Sequence, residues 1–170
     1  MTDVQVAIVD VYVLRFRSEP GKGMAGPVKP KPGGGPEVLV LRRAEGLRSP
    51  GTWETVHGHI AAGETPVAAA LRELKEETGL APSRLYNLSR VESFYLHRRD
   101  VVALIPAFCA MVPGDAVAAL SEEHDRSEWL TPDEATRRFC WPREKRALAD
   151  ALELFGGGDA GGAEDVLRVL

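Results

Sequence analysis

Gly58-His-Ile-Ala-Ala-Gly63-Glu64-Thr65-Pro66-Val67-Ala-Ala-Ala70-Leu71-Arg72-Glu73-Leu74-Lys75-Glu76-Glu77-Thr78-Gly79-Leu80 is the stretch that decides the fold. Thr65-Pro66 reads as a helix start, with threonine as N-cap and proline in the first turn, where its N–H would have no partner anyway. Val67, Ala70, Leu71 and Leu74 recur at helical spacing and form the buried stripe. Gly79 supplies a left-handed stop, and Leu80 returns the chain to the core. The helix sets Glu73, Glu76 and Glu77 at i, i+3 and i+4, as neighbours on one surface. At roughly 5 Å and an effective dielectric of about 20, each pair repels by about 3 kcal/mol. Such a face is tolerated when it is fully solvated or when a multivalent cation sits on it. Ligands that are all oxygen suit Mg²⁺ or Mn²⁺. Gly58 and Gly63 let the preceding loop turn tightly and bring its backbone close to a metal or a phosphate.

The spacing G-x5-E-x7-R-E-L-x-E-E-x-G-L is complete and resembles the Nudix box at every defining position. That resemblance implies an α/β chain with the Nudix fold, a three-layer α/β/α sandwich with a mixed sheet. It implies hydrolysis of a nucleoside diphosphate linked to a further group, in which water attacks phosphorus and metal neutralises the developing charge. By the same resemblance Glu73 and Glu77 are the principal metal ligands, Glu76 joins them, and one of the three activates the water. The backbone carbonyl of His57 falls at a position that supplies a ligand. Glu64 and Arg72 match a loop-to-helix ion pair with a structural role, and Gly58 and Gly79 match structural glycines.

Flanking patches resemble one branch of that family, the bacterial dihydroneopterin triphosphate and dATP pyrophosphohydrolases. They are Leu41-Arg42-Arg43, Trp53-x-x-Val56-x-Gly58, Glu123-His124-x4-Trp129-Leu130 and Trp141-Pro-Arg143. Here Glu123 is the candidate for a further ligand or base. Arg42 and Arg43 occupy adjacent strand positions and point oppositely, so one of them faces the phosphates easily, and Arg42 is carried as the candidate. Tyr95 lies near the place where diadenosine polyphosphate hydrolases carry a tyrosine. Phe94, Tyr95 and Trp141 are candidates to stack a base or pterin, and Arg98, between His97 and Arg99, is a candidate clamp on a phosphate tail. Val56-His57-Gly58 departs from the Pro-Gly-Gly of many relatives.

With 170 residues the chain is long enough for one domain with a real core. Apolar residues make up 44% and charged residues 27%, as in a globular protein. A net charge of −4 and a pI of about 5.6 argue against a nucleic-acid polymer as partner. They leave room for a small nucleotide-like substrate, because a metal supplies positive charge locally. No stretch has the length of a membrane span, and Asp3 and Asp10 interrupt the valine-rich start, which reads as a strand rather than a leader. Cys109 and Cys140 form no metal or redox motif and read as single thiols of a cytoplasmic protein.

Val4 to Phe16 reads as one continuous strand, Glu37 to Arg43 as a second and Trp53 to Ile60 as a third. Residues 18–36 read as a flexible Gly/Pro/Lys loop whose Lys22, Lys29 and Lys31 are within reach of an anionic substrate. Arg90 to Leu96 and Val101 to Met111 form a hairpin around His97–Asp100, and Glu128 to Leu130 is a short strand. Helices start at Pro132 and Pro142, the second with Leu148, Ala151, Leu152 and Phe155 inward. Residues 1–155 are expected to form the domain. Residues 156–170 form a Gly-rich linker and a tail that docks on the body or on a second copy, and monomer and homodimer stay open. Three functions fit: hydrolysis of a nucleoside or dihydroneopterin triphosphate to a monophosphate and pyrophosphate, hydrolysis of a dinucleoside polyphosphate, or nucleotide sensing without turnover.

Overall fold

The computed structural model describes residues 1–17 and 35–170. The expected loop falls almost wholly outside the described residues, Lys22, Lys29 and Lys31 included. Among the described residues, an eight-stranded mixed sheet forms the middle layer. Its strands are β1 (Asp3–Val6), β2 (Ile8–Arg15), β3 (Glu37–Arg43), β4 (Trp53–Glu54), β5 (Val56–His59), β6 (Arg84–Leu96), β7 (Val101–Val112) and β8 (His124–Leu130). The helices are α1 (Pro66–Thr78), α2 (Pro132–Arg138), α3 (Pro142–Phe155) and a single turn, α4 (Glu164–Leu167).

β2 is buried along its whole length. It runs parallel to β7 and antiparallel to β3 and β5. A strand enclosed on both faces needs apolar residues at both parities, which is why Ile8–Leu14 reads as an almost unbroken β-branched run. The two parities go to different layers. Val9, Val11 and Val13 pack with Ala69, Ala70 and Leu74 of α1. Tyr12 and Leu14 pack with Leu148, Ala151 and Phe155 of α3. The expected α/β/α sandwich is therefore observed, with α1 on one face and α2 and α3 on the other.

Two strands expected to be continuous are interrupted. Val4 to Phe16 breaks at Ala7, because the outer piece pairs with β7 alone and is exposed while the inner piece is central. Trp53 to Ile60 breaks at Thr55, whose hydroxyl donates to the Val11 carbonyl (2.5 Å) and whose N–H donates to Glu144 (3.1 Å). Conversely, β6 begins at Arg84 rather than Arg90. It continues through a register shift between Asn87 and Val91, where Ser89 has φ 51° and its N–H donates to the Asn87 side chain. The tail docks on the body. The Val169 N–H donates to the Leu85 carbonyl (2.7 Å), Leu167 is buried, and Glu164 accepts from the Tyr86 hydroxyl.

Candidate active site

α1 begins and ends as its residues require. The Thr65 side chain accepts from the Ala68 N–H, and Gly79 adopts φ 69° at the C-terminus. The helix lies against β5 and β2, and Val67, Ala69, Ala70, Leu71 and Leu74 face the sheet. The three glutamates do not share one environment. Glu76 is exposed, Glu73 is buried at the rim, and Glu77 is 2% exposed. Gly58 makes this possible. A Cβ at Gly58 would lie 1.9 Å from the Glu73 carboxyl carbon, so only glycine lets the Glu73 carboxylate lie against the β5 backbone.

Arg72 holds the rim. Its guanidinium grips Glu64 through two bonds (3.0 and 2.9 Å) and donates to the His59 carbonyl. The expected loop-to-helix pair is thus present. Arg72, together with the Ala61 N–H, holds the Glu64 carboxyl down at about 2. Nη1 of Arg72 also reaches Glu73 (2.9 Å) and Glu76 (3.0 Å). The repulsion expected between the glutamates is therefore relieved in part by an arginine within the box. Among the described residues, no three carboxylate, imidazole or thiol side chains converge on one point, and Glu73 and Glu76 both lean on Arg72.

Glu77 has no such partner. Its Oε1 accepts a long bond from the His57 N–H (3.4 Å), while Oε2 is buried with no hydrogen bond. Burial, followed by the charges of Glu73 and Glu123, pushes its carboxyl up to about 9. His124, also buried, stands between two carboxylates. Nε2 is 3.4 Å from Glu54, and Nδ1, likewise without a partner, is 3.7 Å from Glu77 Oε2. Arg43 donates to Glu54 (2.8 Å) and approaches Glu123 at 3.9 Å. The α1 face thus gathers Glu54, Glu73, Glu77, His124, Arg43 and Glu123, with Glu76 at the outer edge.

These residues fit a divalent cation. The donors are carboxylate oxygens, one of them buried without any partner, and a cation there would reverse the pressure that now holds Glu77 protonated. Glu73, Glu77 and the His57 carbonyl would hold it, with Glu76 and Glu123 able to join. Bound there, it would polarise a phosphoryl oxygen and neutralise charge on a leaving phosphate.

Strand alternation sends Arg43 to the glutamates and Arg42 to the far face, where it forms a two-pronged pair with Asp125 (2.6 and 2.8 Å). Tyr95 donates to Asp100 (2.9 Å), which also accepts from Thr2. Arg98 is in the turn beside it, so both stand at the tip of the β6–β7 hairpin rather than at the glutamates. Phe94 points to the opposite face from Tyr95 and meets Trp141 edge-on, with ring centroids 6.3 Å apart. Cys109 is buried, Cys140 is exposed, and both are free.

Sequence reasoning missed Glu54, His124, Asp10 and Glu144. Asp10 carried a legible signal, a carboxylate inside an eight-residue apolar strand. Glu54 and Glu144 carried none, because one is separated from His124 and the other from Thr55 by long stretches of chain.

A family model described as the NUDIX domain matches residues 28–152. An octanoyltransferase of Myxococcus xanthus is 35% identical over 159 residues, which are 88% of this chain but 44% of that protein, so the chain spans less than half of it. The asymmetrical bis(5'-nucleosyl)-tetraphosphatase of Rattus norvegicus is 35% identical over 121 residues, 70% of this chain and 80% of that enzyme. The structure of the E. coli dihydroneopterin triphosphate pyrophosphohydrolase superposes with a TM-score of 0.57 at 22% identity, covering 82% of this chain and 91% of the other. At that identity the likeness speaks for the fold alone. The domain match over most of the chain, the rat relative and the intact Gly58–Leu80 segment together make this chain a member of the Nudix hydrolase family.

Proposed function

We propose that the chain hydrolyses a nucleoside triphosphate or dihydroneopterin triphosphate with Mg²⁺ or Mn²⁺, releasing pyrophosphate and the monophosphate. Members of this family generally use such divalent ions. The observation that carries the reading is the buried Glu77 carboxylate with an unpartnered oxygen, set beside Glu73 and facing Glu54, His124 and Glu123. An oxygen left unpartnered in so buried a place supports a cation bound there, which the hydrolytic reaction requires. In the proposed reaction, water oxygen bonds to the α-phosphorus, the bond from that phosphorus to the bridging oxygen breaks, and pyrophosphate departs. One carboxylate of the cluster, with Glu123 and Glu77 the candidates, accepts the water proton.

The facing of Arg43 toward the cluster supports it as a cation for the phosphate tail, although it too would have to loosen an ion pair, with Glu54, to serve. Arg42 can serve only by leaving Asp125, and Tyr95 and Arg98 only for a substrate long enough to reach the hairpin tip. The pair Phe94 and Trp141 offers an aromatic edge for a base or pterin.

The relation to the rat tetraphosphatase favours a second reading, hydrolysis of a dinucleoside polyphosphate. Reaction in ¹⁸O-labelled water separates the two. Label in the monophosphate with unlabelled pyrophosphate supports the first. Cleavage of diadenosine tetraphosphate into a nucleoside triphosphate and a monophosphate, with simple triphosphates untouched, supports the second.

A further inference from the structure

His57 joins two faces of the sheet. On the α1 side its N–H reaches Glu77, and its neighbour Gly58 lies against the Glu73 carboxylate. Its ring passes to the α3 side, where Nδ1 meets Asp10 Oδ1 at 2.5 Å. Asp10 is fully buried, and its other oxygen bonds to Arg143 in the first turn of α3. The next residue, Glu144, is also fully buried and accepts from the Thr55 N–H (3.1 Å) and the Trp141 N–H (3.3 Å). Just before the helix, the Cys140 N–H donates to the Trp53 carbonyl (3.0 Å). The start of α3 is therefore tied to Thr55 through Glu144 and to His57 through Asp10, and Cys140 just before it is tied to Trp53.

A buried Asp–Arg pair is an expensive way to stabilise a core, since apolar residues of similar volume are often as good or better. What this pair does that apolar residues do not is fix the His57 ring, and with it the backbone on either side. We propose that Asp10 and Arg143 are positioning residues for the metal site. Acting only through the His57 ring, they hold its N–H on Glu77. The α3 turn thereby sets the metal affinity of the opposite face. This inference rests on the metal-dependent reading given above. Supporting partners of this kind typically contribute 10–100-fold in metal affinity.

The test is Mn²⁺ binding to the full chain, followed by electron paramagnetic resonance without substrate. Thermal melts report folding in parallel. The variants are His57→Ala, the apolar pair Asp10→Leu/Arg143→Met, their combination, and Arg143→Lys. His57 is partly exposed, with 23% of its side chain accessible, so its truncation leaves a folded protein even if the apolar pair does not. We expect His57→Ala and the apolar pair each to weaken Mn²⁺ 10–100-fold, the combination to lose no more than either alone, and Arg143→Lys to stay within threefold of the parent. The apparent Mg²⁺ activation constant should rise in step, with kcat at saturating Mg²⁺ changing less. Folded His57→Ala binding Mn²⁺ within threefold of the parent would overturn the proposal and leave the metal reading standing, as would losses that simply add. Failure of the parent chain to bind Mn²⁺ at all would overturn both.

Discussion

Two buried acidic clusters lie back to back across the same sheet, and they differ in one respect. On the α3 face, each carboxylate oxygen of Asp10 and Glu144 has a hydrogen-bond partner. On the α1 face, one oxygen of Glu77 has none, and the nearest imidazole nitrogen, His124 Nδ1, also has none. Burying a charged or polar group without a partner is costly. A fold keeps the first cluster because it organises backbone, whereas the second is explained only by something that binds there. Among the buried side-chain atoms of the described residues, the one without a partner on the α3 face is the Tyr12 hydroxyl, which is neutral. Burial, with Asp10 and Glu144 following, holds it so by raising its pKa well above the usual range.

The largest expected effect separates the two clusters by activity. Glu77→Gln should lower kcat by about 10²–10⁴ while the chain stays folded. It should also stabilise the metal-free protein at pH 8, because an amide abolishes the cost of keeping the Glu77 carboxyl protonated so far above its ordinary pKa. An active Glu77→Gln enzyme, or one destabilised at pH 8 without metal, would erase the distinction.

Removing one partner on the satisfied face should show the opposite balance. Glu144→Ala leaves the Thr55 and Trp141 N–H groups without their acceptor and should destabilise by about 2–4 kcal/mol, read from urea midpoints. A melt indistinguishable from the parent would show that this face is not tied as described.

Gly58→Ala tests the contact between strand and box. Its Cβ meets the Glu73 carboxyl, so Glu73 must shift, at a cost of about 1–3 kcal/mol and with weaker metal binding. Unchanged Mn²⁺ affinity in this variant would mean that Glu73 reaches the metal from a different position.

A last effect is a slope with pH. Glu77 is raised from 4.5 to about 9 and Glu144 from 4.5 to about 8, in both cases first by burial. A carboxyl raised by folding contributes stability that is whole below about pH 4.5 and is lost as pH climbs through its folded value. Metal-free stability should therefore fall from about pH 5 to pH 9, by calorimetry in EDTA. Saturating Mg²⁺ should remove the Glu77 part of that slope and leave the Glu144 part. Glu64 acts oppositely, since its depressed carboxyl contributes above about pH 4.5 and loses that contribution as pH falls toward about 2.

What the sequence made legible is what is local. The Thr65 cap, the Gly79 stop, the Glu64–Arg72 pair and the apolar stripe of α1 all follow from spacing within about twenty residues, and all stand in the structure. The layers follow from them, because a helix with one apolar stripe must lie on a sheet. The unequal burial of Glu73, Glu76 and Glu77 was not legible, since it depends on β5 pressing Gly58 against Glu73 and on His124 arriving from another strand. Nor was the choice of Arg43 over Arg42 visible, since alternation says that they differ but not which one faces α1. The α3 turn escaped for the same reason: Arg143 and Asp10 are 133 positions apart.

The most direct test of the central claim is product analysis with Mg²⁺ over canonical and oxidised nucleoside triphosphates, dihydroneopterin triphosphate, diadenosine polyphosphates and ADP-ribose, with Glu77→Gln run beside the parent chain. The parent chain should release pyrophosphate and a monophosphate from a triphosphate, and Glu77→Gln should lose that turnover. A panel without turnover, from a folded chain that still binds a nucleotide, would contradict that claim.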